Sequence, residues 1–453
     1  MRSFNERRNV MKTFRSILVG GTFALLLCTP LVAGPSGTIT LGGSVNYPFM
    51  SAAGGTVSLQ VAVNTDKCSP GDRRPMNLSV VLDRSGSMAD EGKMEFAKKA
   101  LLTLIDQLDD NDILSIVVYD DVVDVLRCAE RVSRKNEIKQ CVNGIVPRNS
   151  TNLGGGMMEG LRQVECNAGS EYVNRVILIS DGLANRGITD PARLNDMVRR
   201  FRGRSISLTT MGVGLQYNEN LMVGLAESGG GNYYFIESPA SLASMMRSEL
   251  QSLSRVMAQD ARIRIVPGRG ISINDVIGCS YHREGDAIVL SIGDLYSEEH
   301  REWTIELHVP GGKGTCVIAE GTLSYQKTDV PVGTVQGFST SIHYSDDAAS
   351  IEKNRNWEAQ GKADIAASTR DVDKAMKAID EGRAEEAEQL LKDARNAILA
   401  SPAAAVGGST GDAIQKQEAK LRSYVDTLRQ NEGSKEKAKK AIQYDNYRTQ
   451  KNK

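Results

Sequence analysis

The sequence predicts an α/β protein. A Rossmann-like, doubly wound and mostly parallel sheet is inserted in or followed by a small antiparallel β-sandwich, and an α-helical region closes the chain. Three observations carry this. Between Met76 and Ser254, near-continuous apolar strands alternate with amphipathic helices, the pattern of a sheet covered by helices on both faces. Over residues 255–345 the apolar period drops to two, as in strands with one buried face. Over residues 346–453 Ala, Glu, Lys and Gln dominate, and apolar residues recur three and four apart.

Residues 1–33 read as a secretory signal peptide. Arg7, Arg8, Lys12 and Arg15 precede an apolar run from Ile17 to Ala33, and small residues offer cleavage near Ala33. Met11 gives a better signal as the start. The run holds two glycines and Pro30 and is short for a membrane span, so cleavage is expected, and an uncleaved segment would be the only membrane attachment. The protein is thus expected to be exported, to a periplasm, a cell surface or the medium. Residues 34–75 form an N-terminal segment. Its Gly- and Ser-rich part, 34–54, is expected to be loose. TVSLQVAV at 56–63 is a half-buried strand that needs partners, and pairing with the later β module would insert the α/β domain into the sandwich.

Net charge is −1 and aromatics make up 5% of the chain, which argues against a nucleic-acid surface. Six cysteines remain beyond Cys28: Cys68, Cys128, Cys141, Cys166, Cys279 and Cys316. An even number in an exported chain predicts disulfides, and locality alone favours Cys128–Cys141 and Cys279–Cys316. No CxxC or HExxH occurs, so no zinc site is expected.

Residues 76–254 make the α/β domain. MNLSVVLD is a strand, and Phe96, Ala97, Ala100, Leu101, Leu104, Ile105 and Leu108 mark a helix. DILSIVVYD, RVILISD, SISLTTMGVG and GNYYFIES are further strands. Helices are expected from about Gly154, over Ala192–Phe201, near Asn218 and over Ser238–Leu250. Gly212–Gly214 and Gly229–Gly231 lack the context of a phosphate-binding loop and read as turns. In residues 255–345, Trp303, Ile305, Leu307 and Val309 alternate with polar residues as one strand of the sandwich. In the helical region, Ala384, Ala387, Leu391, Ala394 and Ile398 form a stripe, and EGRAEEAEQLL resembles part of a tetratricopeptide-type hairpin. The stripe would pack within the hairpin or dock a second partner. Residues 401–411 read as a linker and the basic tail as a solvated end.

VVLDRSGSMAD at 80–90 places Asp83, Ser85 and Ser87 where a buried strand ends and a helix opens. NSTNLGGG places Thr151 at the start of another helix, and ILISDG places Asp181 at the tip of another strand. Taken singly, Ser85, Ser87 and Thr151 would be helix caps and Asp181 a turn former. Ligands of doubly wound sheets, however, sit at the carboxyl ends of strands, where all five are expected.

Together these residues resemble the metal-ion-dependent adhesion site of the von Willebrand factor A domain family. Hard hydroxyl and carboxylate oxygens suit Mg²⁺ (or Mn²⁺). The neutral hydroxyls of Ser85 and Ser87 can bind the metal directly, and the resemblance implies that Thr151 does so in the open state while Asp83 and Asp181 act mainly through water. A partner protein would complete the shell with an Asp or Glu. Arg84 brings a positive charge between the ligands, and Asp90 either adds a carboxylate at the rim or faces solvent. Outside this domain the arrangement resembles bacterial exported von Willebrand A proteins, some related to inter-α-trypsin inhibitor heavy chains.

The resemblance implies a binding protein and not an enzyme. The rival from another class is a metal-dependent hydrolase of phosphatase type, with Asp83 as phosphoryl acceptor. Such enzymes need a second aspartate where Ser85 stands, and no histidine falls between residues 76 and 254. A structural envelope component, stiffened by its metal, is a third reading.

Overall fold

A computed structural model describes residues 38–67, 73–148, 150–327, 330–430 and 435–451. The expected signal segment, Cys28 and Cys68 lie outside the described residues. Before the α/β domain come β1 (Ile39–Val45), β2 (Phe49–Ser51) and β3 (Gly54–Thr65). The α/β domain holds β4 (Met76–Asp83), α1 (Lys93–Gln107), β5 (Ile113–Tyr119), β6 (Val123–Arg131), α2 (Lys135–Asn143), α3 (Leu153–Glu165), β7 (Val173–Ser180), α4 (Pro191–Arg202), β8 (Ser207–Val213), α5 (Glu219–Gly229), β9 (Gly230–Ile236) and α6 (Leu242–Leu253). Its sheet runs β6-β5-β4-β7-β8-β9, parallel except for the edge strand β6.

Alternate strand residues explain why the sheet is doubly covered. Val80 and Leu82 pack with α1, α2 and α6, while Val81 packs with α3, α4 and α5. Chain order reverses about β4, since β5 lies on one side of it and β7 on the other. Such a switch point opens a crevice at the carboxyl ends of the strands, here those of β4 and β7. α3 comes close to the sheet through Gly160, whose added Cβ would overlap Val81 Cγ2.

After this domain come β10 (Val256–Pro267), β11 (Ser272–Ile277), β12 (Tyr281–Glu284), β13 (Ala287–Tyr296), β14 (His300–Pro310), β15 (Thr315–Lys327) and β16 (Val330–Ser345). One sheet runs β1-β3-β14-β11 and the other β12-β13-β10-β15-β16-β2. Val57, Leu59, Val61 and Val63 of β3 meet Trp303, Ile305, Leu307 and Val309 of β14 in the core between the sheets. The chain therefore leaves the sandwich after β3 and re-enters it at β10.

Several sequence expectations need correction. Residues 39–45 are not loose: β1 pairs with β3 from Ile39 opposite Thr65 to Val45 opposite Leu59, burying Ile39, Leu41 and Val45. Its two glycines hid the strand, and Gly43 is where the Phe338 ring crosses, leaving no room for a Cβ. The disulfide bets also fail, because Cys128, Cys141, Cys166, Cys279 and Cys316 are all free thiols. Cys316 lies on β15, whereas Cys279 precedes β12, at the far edge beyond β13 and β10. Strands are about 4.8 Å apart, so three intervals exceed the reach of a disulfide.

The helical region comprises α7 (Ala348–Lys353), α8 (Trp357–Asp380), α9 (Ala384–Leu399), α10 (Gly408–Gln430) and α11 (Lys435–Gln450). The stripe of Ala387, Leu391, Ala394 and Ile398 is buried in the shared core of α8, α9 and α10, so it offers no free docking face. Residues 401–411 are no linker: Pro402–Val406 form a 3-10 turn, Ala403 is buried, and α10 starts at Gly408. Nor is the basic tail solvated. Lys451 pairs with Glu227 of α5 at 3.1 Å and the Tyr447 hydroxyl accepts from Tyr233 N–H at 3.2 Å, while near the start of α11 Lys439 and Lys440 are buried against Glu219 of α5. A second buried cluster ties the α/β domain to the sandwich. Arg175 of β7 reaches Thr209 Oγ1 at 2.7 Å, Glu249 Oε1 at 3.2 Å and Asp294 Oδ2 at 2.6 Å. Among the described residues, no helix is long and apolar enough to cross a membrane.

Candidate functional site

Asp83 is the last residue of β4, opposite Tyr119 at the end of β5. Its Oδ1 accepts from Ser85 N–H at 2.8 Å. Its Oδ2 accepts from Ser180 Oγ at 2.8 Å and from the Tyr119 hydroxyl at 3.3 Å. Burial pushes its carboxyl up to about 6, even though the bonds from Ser85 and Ser180 pull the other way. Burial also drives the Tyr119 phenol well above its ordinary value, so it stays a donor to Asp83.

The next residues do not cap helices. Ser85 precedes the 3-10 turn Gly86–Gly92, and its side chain makes no cap bond there. Ser85 Oγ lies instead 3.2 Å from Ser87 Oγ, which donates to Asp181 Oδ1 at 2.8 Å. α3 is capped by Asn152, whose Oδ1 accepts from Gly155 N–H at 3.0 Å. Thr151 thus carries no capping duty, and its backbone is fixed by Asn185 Oδ1, 3.0 Å from its N–H. Asp181 follows the last residue of β7 and is fully buried.

Gly182 shows how closely these groups converge. A Cβ added there would stand 3.4 Å from Thr151 Oγ1, 3.7 Å from Ser87 Oγ and 3.9 Å from Asp83 Oδ2. Three elements thus bring oxygen donors around one small space that any larger residue would fill. All five residues singled out in the sequence stand at this crevice.

Sequence reasoning missed Lys93. Its Nζ lies 2.8 Å from Asp181 Oδ2, with both side chains out of solvent. The signal was available: Lys93 stands four residues before Ala97 and seven before Ala100, a lysine on the apolar stripe of α1. Tyr119 and Ser180 were missed because each read as an ordinary strand end. Arg84, expected to bring charge among the ligands, is instead neutralised. Its guanidinium pairs with Asp120 at 2.8 Å and also with Asp124, and Arg148 joins both carboxylates. Asp90 is exposed. Three of the exposed apolar side chains, Val122, Val146 and Leu183, follow β5, precede Thr151 and follow Asp181.

The donors fit a hard divalent cation. Two carboxylates and one ammonium leave a net negative charge, and three hydroxyls are neutral oxygen donors. Among the described residues, no group of three or more His, Cys, Asp or Glu side chains is placed to hold a metal, so the hydroxyls would have to complete the set.

The fold, a doubly wound sheet with a crevice at its switch point, defines a class of α/β domain. Residues 77–248 match the von Willebrand factor type A domain, so the chain carries such a domain. An uncharacterized Escherichia coli (strain K12) protein, YfbK, is 30% identical over 190 residues, 42% of this chain and 33% of that protein. A second uncharacterized protein, from Synechocystis, is 25% identical over 263 residues, 55% of this chain and 61% of that one. The chain thus spans between a third and three-fifths of these relatives. Human inter-alpha-trypsin inhibitor heavy chain H3 is 28% identical over 160 residues, only 18% of its length, so the resemblance in arrangement is not shown. A solved von Willebrand factor type A protein from Catenulispora acidiphila shares the fold with a TM-score of 0.71 at 17% identity, covering 91% of this chain and 98% of that one. The ArnB paralog VWA2 from Sulfolobus acidocaldarius gives 0.58 at 18% identity, covering 92% and 98%.

Proposed function

We propose that this protein is an exported, non-enzymatic binding protein that holds Mg²⁺ or Mn²⁺ at Asp83, Ser85, Ser87, Thr151 and Asp181 and through it an Asp or Glu of a partner protein. The observation that carries this reading is the convergence of Thr151 Oγ1, Ser87 Oγ and Asp83 Oδ2 within 4 Å of one point beside Gly182. When bound, the cation would supply an open coordination position for a carboxylate oxygen. The chain's own residues set how strongly that position attracts an acid. Asp83 is held in place by Ser85 N–H, Ser180 and Tyr119, so its oxygens are committed before any ligand arrives. Lys93 cancels one carboxylate charge, so a divalent cation would leave the crevice net positive and ready for a partner's anion. Val122, Val146 and Leu183, each more than half exposed, stand on the segments that follow β5, precede Thr151 and follow Asp181. The hydrolase reading finds no support here: both oxygens of Asp83 already accept hydrogen bonds, and no histidine lies between residues 76 and 254.

Export rests on the charge and apolar pattern of residues 1–33. The partner test is capture on immobilised protein in Mg²⁺, in EDTA and with Thr151→Ala. The reading requires a captured protein that is lost in EDTA, lost with Thr151→Ala, and lost when one of its own acidic residues becomes an amide. Equal capture under all conditions would remove the metal-bridged reading.

A further inference from the structure

A second cleft, of about 320 Å³, opens between the α/β domain and the sandwich. Arg199 and Arg202 enter it from the last turn of α4, Arg262 from β10, and Ser280 and Tyr281 from the start of β12. Because α4 runs back against the parallel strands, its carboxyl end lies away from the Asp83 crevice. This cleft is separate from the metal site and rests on none of its assignments.

The cleft has more positive charge than its own acids neutralise. Asp260 is shared. It takes hydrogen bonds from Arg262 Nη2 at 2.8 Å and Nε at 3.2 Å, and lies 3.6 Å from Arg202 Nε, an ion-pair distance too long for a hydrogen bond. Arg199 pairs with exposed Asp196 and donates to Ser228 Oγ at 3.2 Å. Arg202 is the unusual member. Its side chain is 7% exposed, and one terminal nitrogen donates to Glu227 O at 3.3 Å. Its Nη2 is buried with no hydrogen-bond partner, and burial lowers its pKa against the pull of Asp260. A buried guanidinium donor without a partner costs stability unless something binds it. The glycine turn after α5 seats this side chain: Gly230 has φ 68°, and a Cβ there would press on Arg202 Nε at 3.0 Å.

We infer that this cleft binds an oxyanion ester, a phosphate or sulfate group carrying a small, ring-sized substituent. Three guanidiniums from two modules match the oxygens of a tetrahedral dianion, which takes charge-assisted bonds from several directions. The cleft's volume is at the small end for ligand sites and larger than a bare ion needs. Tyr281, 39% exposed, supplies a ring and a hydroxyl at the mouth. A ligand here joins α4 of the α/β domain to β10 and β12 of the sandwich, and so fixes the angle between them.

The test is calorimetric titration of the full chain with inorganic phosphate, in EDTA and at ionic strength held constant with chloride. Wild type is expected to bind one phosphate saturably. Arg199→Ala and Arg262→Ala remove partly exposed guanidiniums and should keep the fold. Each should weaken binding by about tenfold or more, the loss expected for a charge-assisted hydrogen bond. Arg202→Met should abolish binding, and if it does not fold, the two exposed variants decide. Glucose 6-phosphate binding more tightly than phosphate would assign the ester to a soluble sugar. Co-sedimentation with phosphatidic acid vesicles, lost in Arg262→Ala, would assign it to a lipid headgroup; either supports the oxyanion class. No saturable binding at tens of millimolar phosphate, or equal binding by wild type and both exposed variants, overturns the inference.

Discussion

Replacing Lys93 with methionine keeps the length of the side chain and deletes the charge that faces Asp181. In the folded protein the ammonium lies 2.8 Å from Asp181 Oδ2, and both side chains are shielded from water. At an effective dielectric constant of about 20, Coulomb attraction at that distance is ~6 kcal/mol. Desolvation offsets part of it, and removing one partner of such a buried pair costs about 3–5 kcal/mol because the other charge stays behind. Lys93→Met should therefore lower the unfolding free energy in EDTA by about 3–5 kcal/mol. The same change removes the cation that competes for Asp181. Mn²⁺ affinity should rise by about tenfold or more, which is ~1.4 kcal/mol, and saturating Mg²⁺ should restore much of the lost stability. Urea unfolding in EDTA and in Mg²⁺, with Mn²⁺ calorimetry, measures all three. A variant as stable as wild type in EDTA, or one that binds Mn²⁺ more weakly, refutes this view of Lys93.

Three further outcomes follow from the same structure. Asp83 titrates near 6 in the fold against 3.8 unfolded, so its neutral form is the one the fold prefers. That preference contributes stability in full below about pH 4 and is lost as pH rises through 6, a change of ~3 kcal/mol. In EDTA, wild type should lose this amount relative to Asp83→Asn between pH 4 and 7 in urea titrations, and parallel pH profiles would contradict it. Gly160→Ala drives a methyl group into Val81 and should destabilise by about 1–3 kcal/mol, read as a lower urea midpoint. Arg175→Met leaves Glu249 and Asp294 buried without their cation and should cost about 3–5 kcal/mol, with the loss absent if the cluster is not formed in solution.

The sequence showed the crevice more clearly than its surroundings. Asp83 and Asp181 were readable because each ends an unbroken apolar strand, and strand ends in a doubly wound sheet are where ligands lie. Thr151 was readable from its place before a helix. Lys93 was not read, because attention to apolar spacing passes over the one charged residue on the stripe. Arg202 was not read either, since an arginine in the last turn of a helix is ordinary. Only its burial with an Nη2 that has no hydrogen-bond partner sets it apart, and that is a tertiary fact. β1 was missed because two glycines weaken local strand preference, while pairing with β3 and the crossing Phe338 ring decide it. The Cys279–Cys316 bet failed for a related reason: β13 and β10 stand between their two places in the sheet. The basic end of α11 read as solvated until Glu227 and Tyr233 of the α/β domain were placed beside it.

The central claim is that Asp83, Ser85, Ser87, Thr151 and Asp181 together hold a divalent cation. Calorimetric titration of the full chain with Mn²⁺, beside Ser85→Ala and Thr151→Ala, tests it most directly. Wild type should bind one ion, and each variant should bind about tenfold more weakly or worse while keeping its unfolding midpoint in EDTA. Mn²⁺ binding of equal strength in all three proteins, or no binding by a folded wild type, would contradict the account.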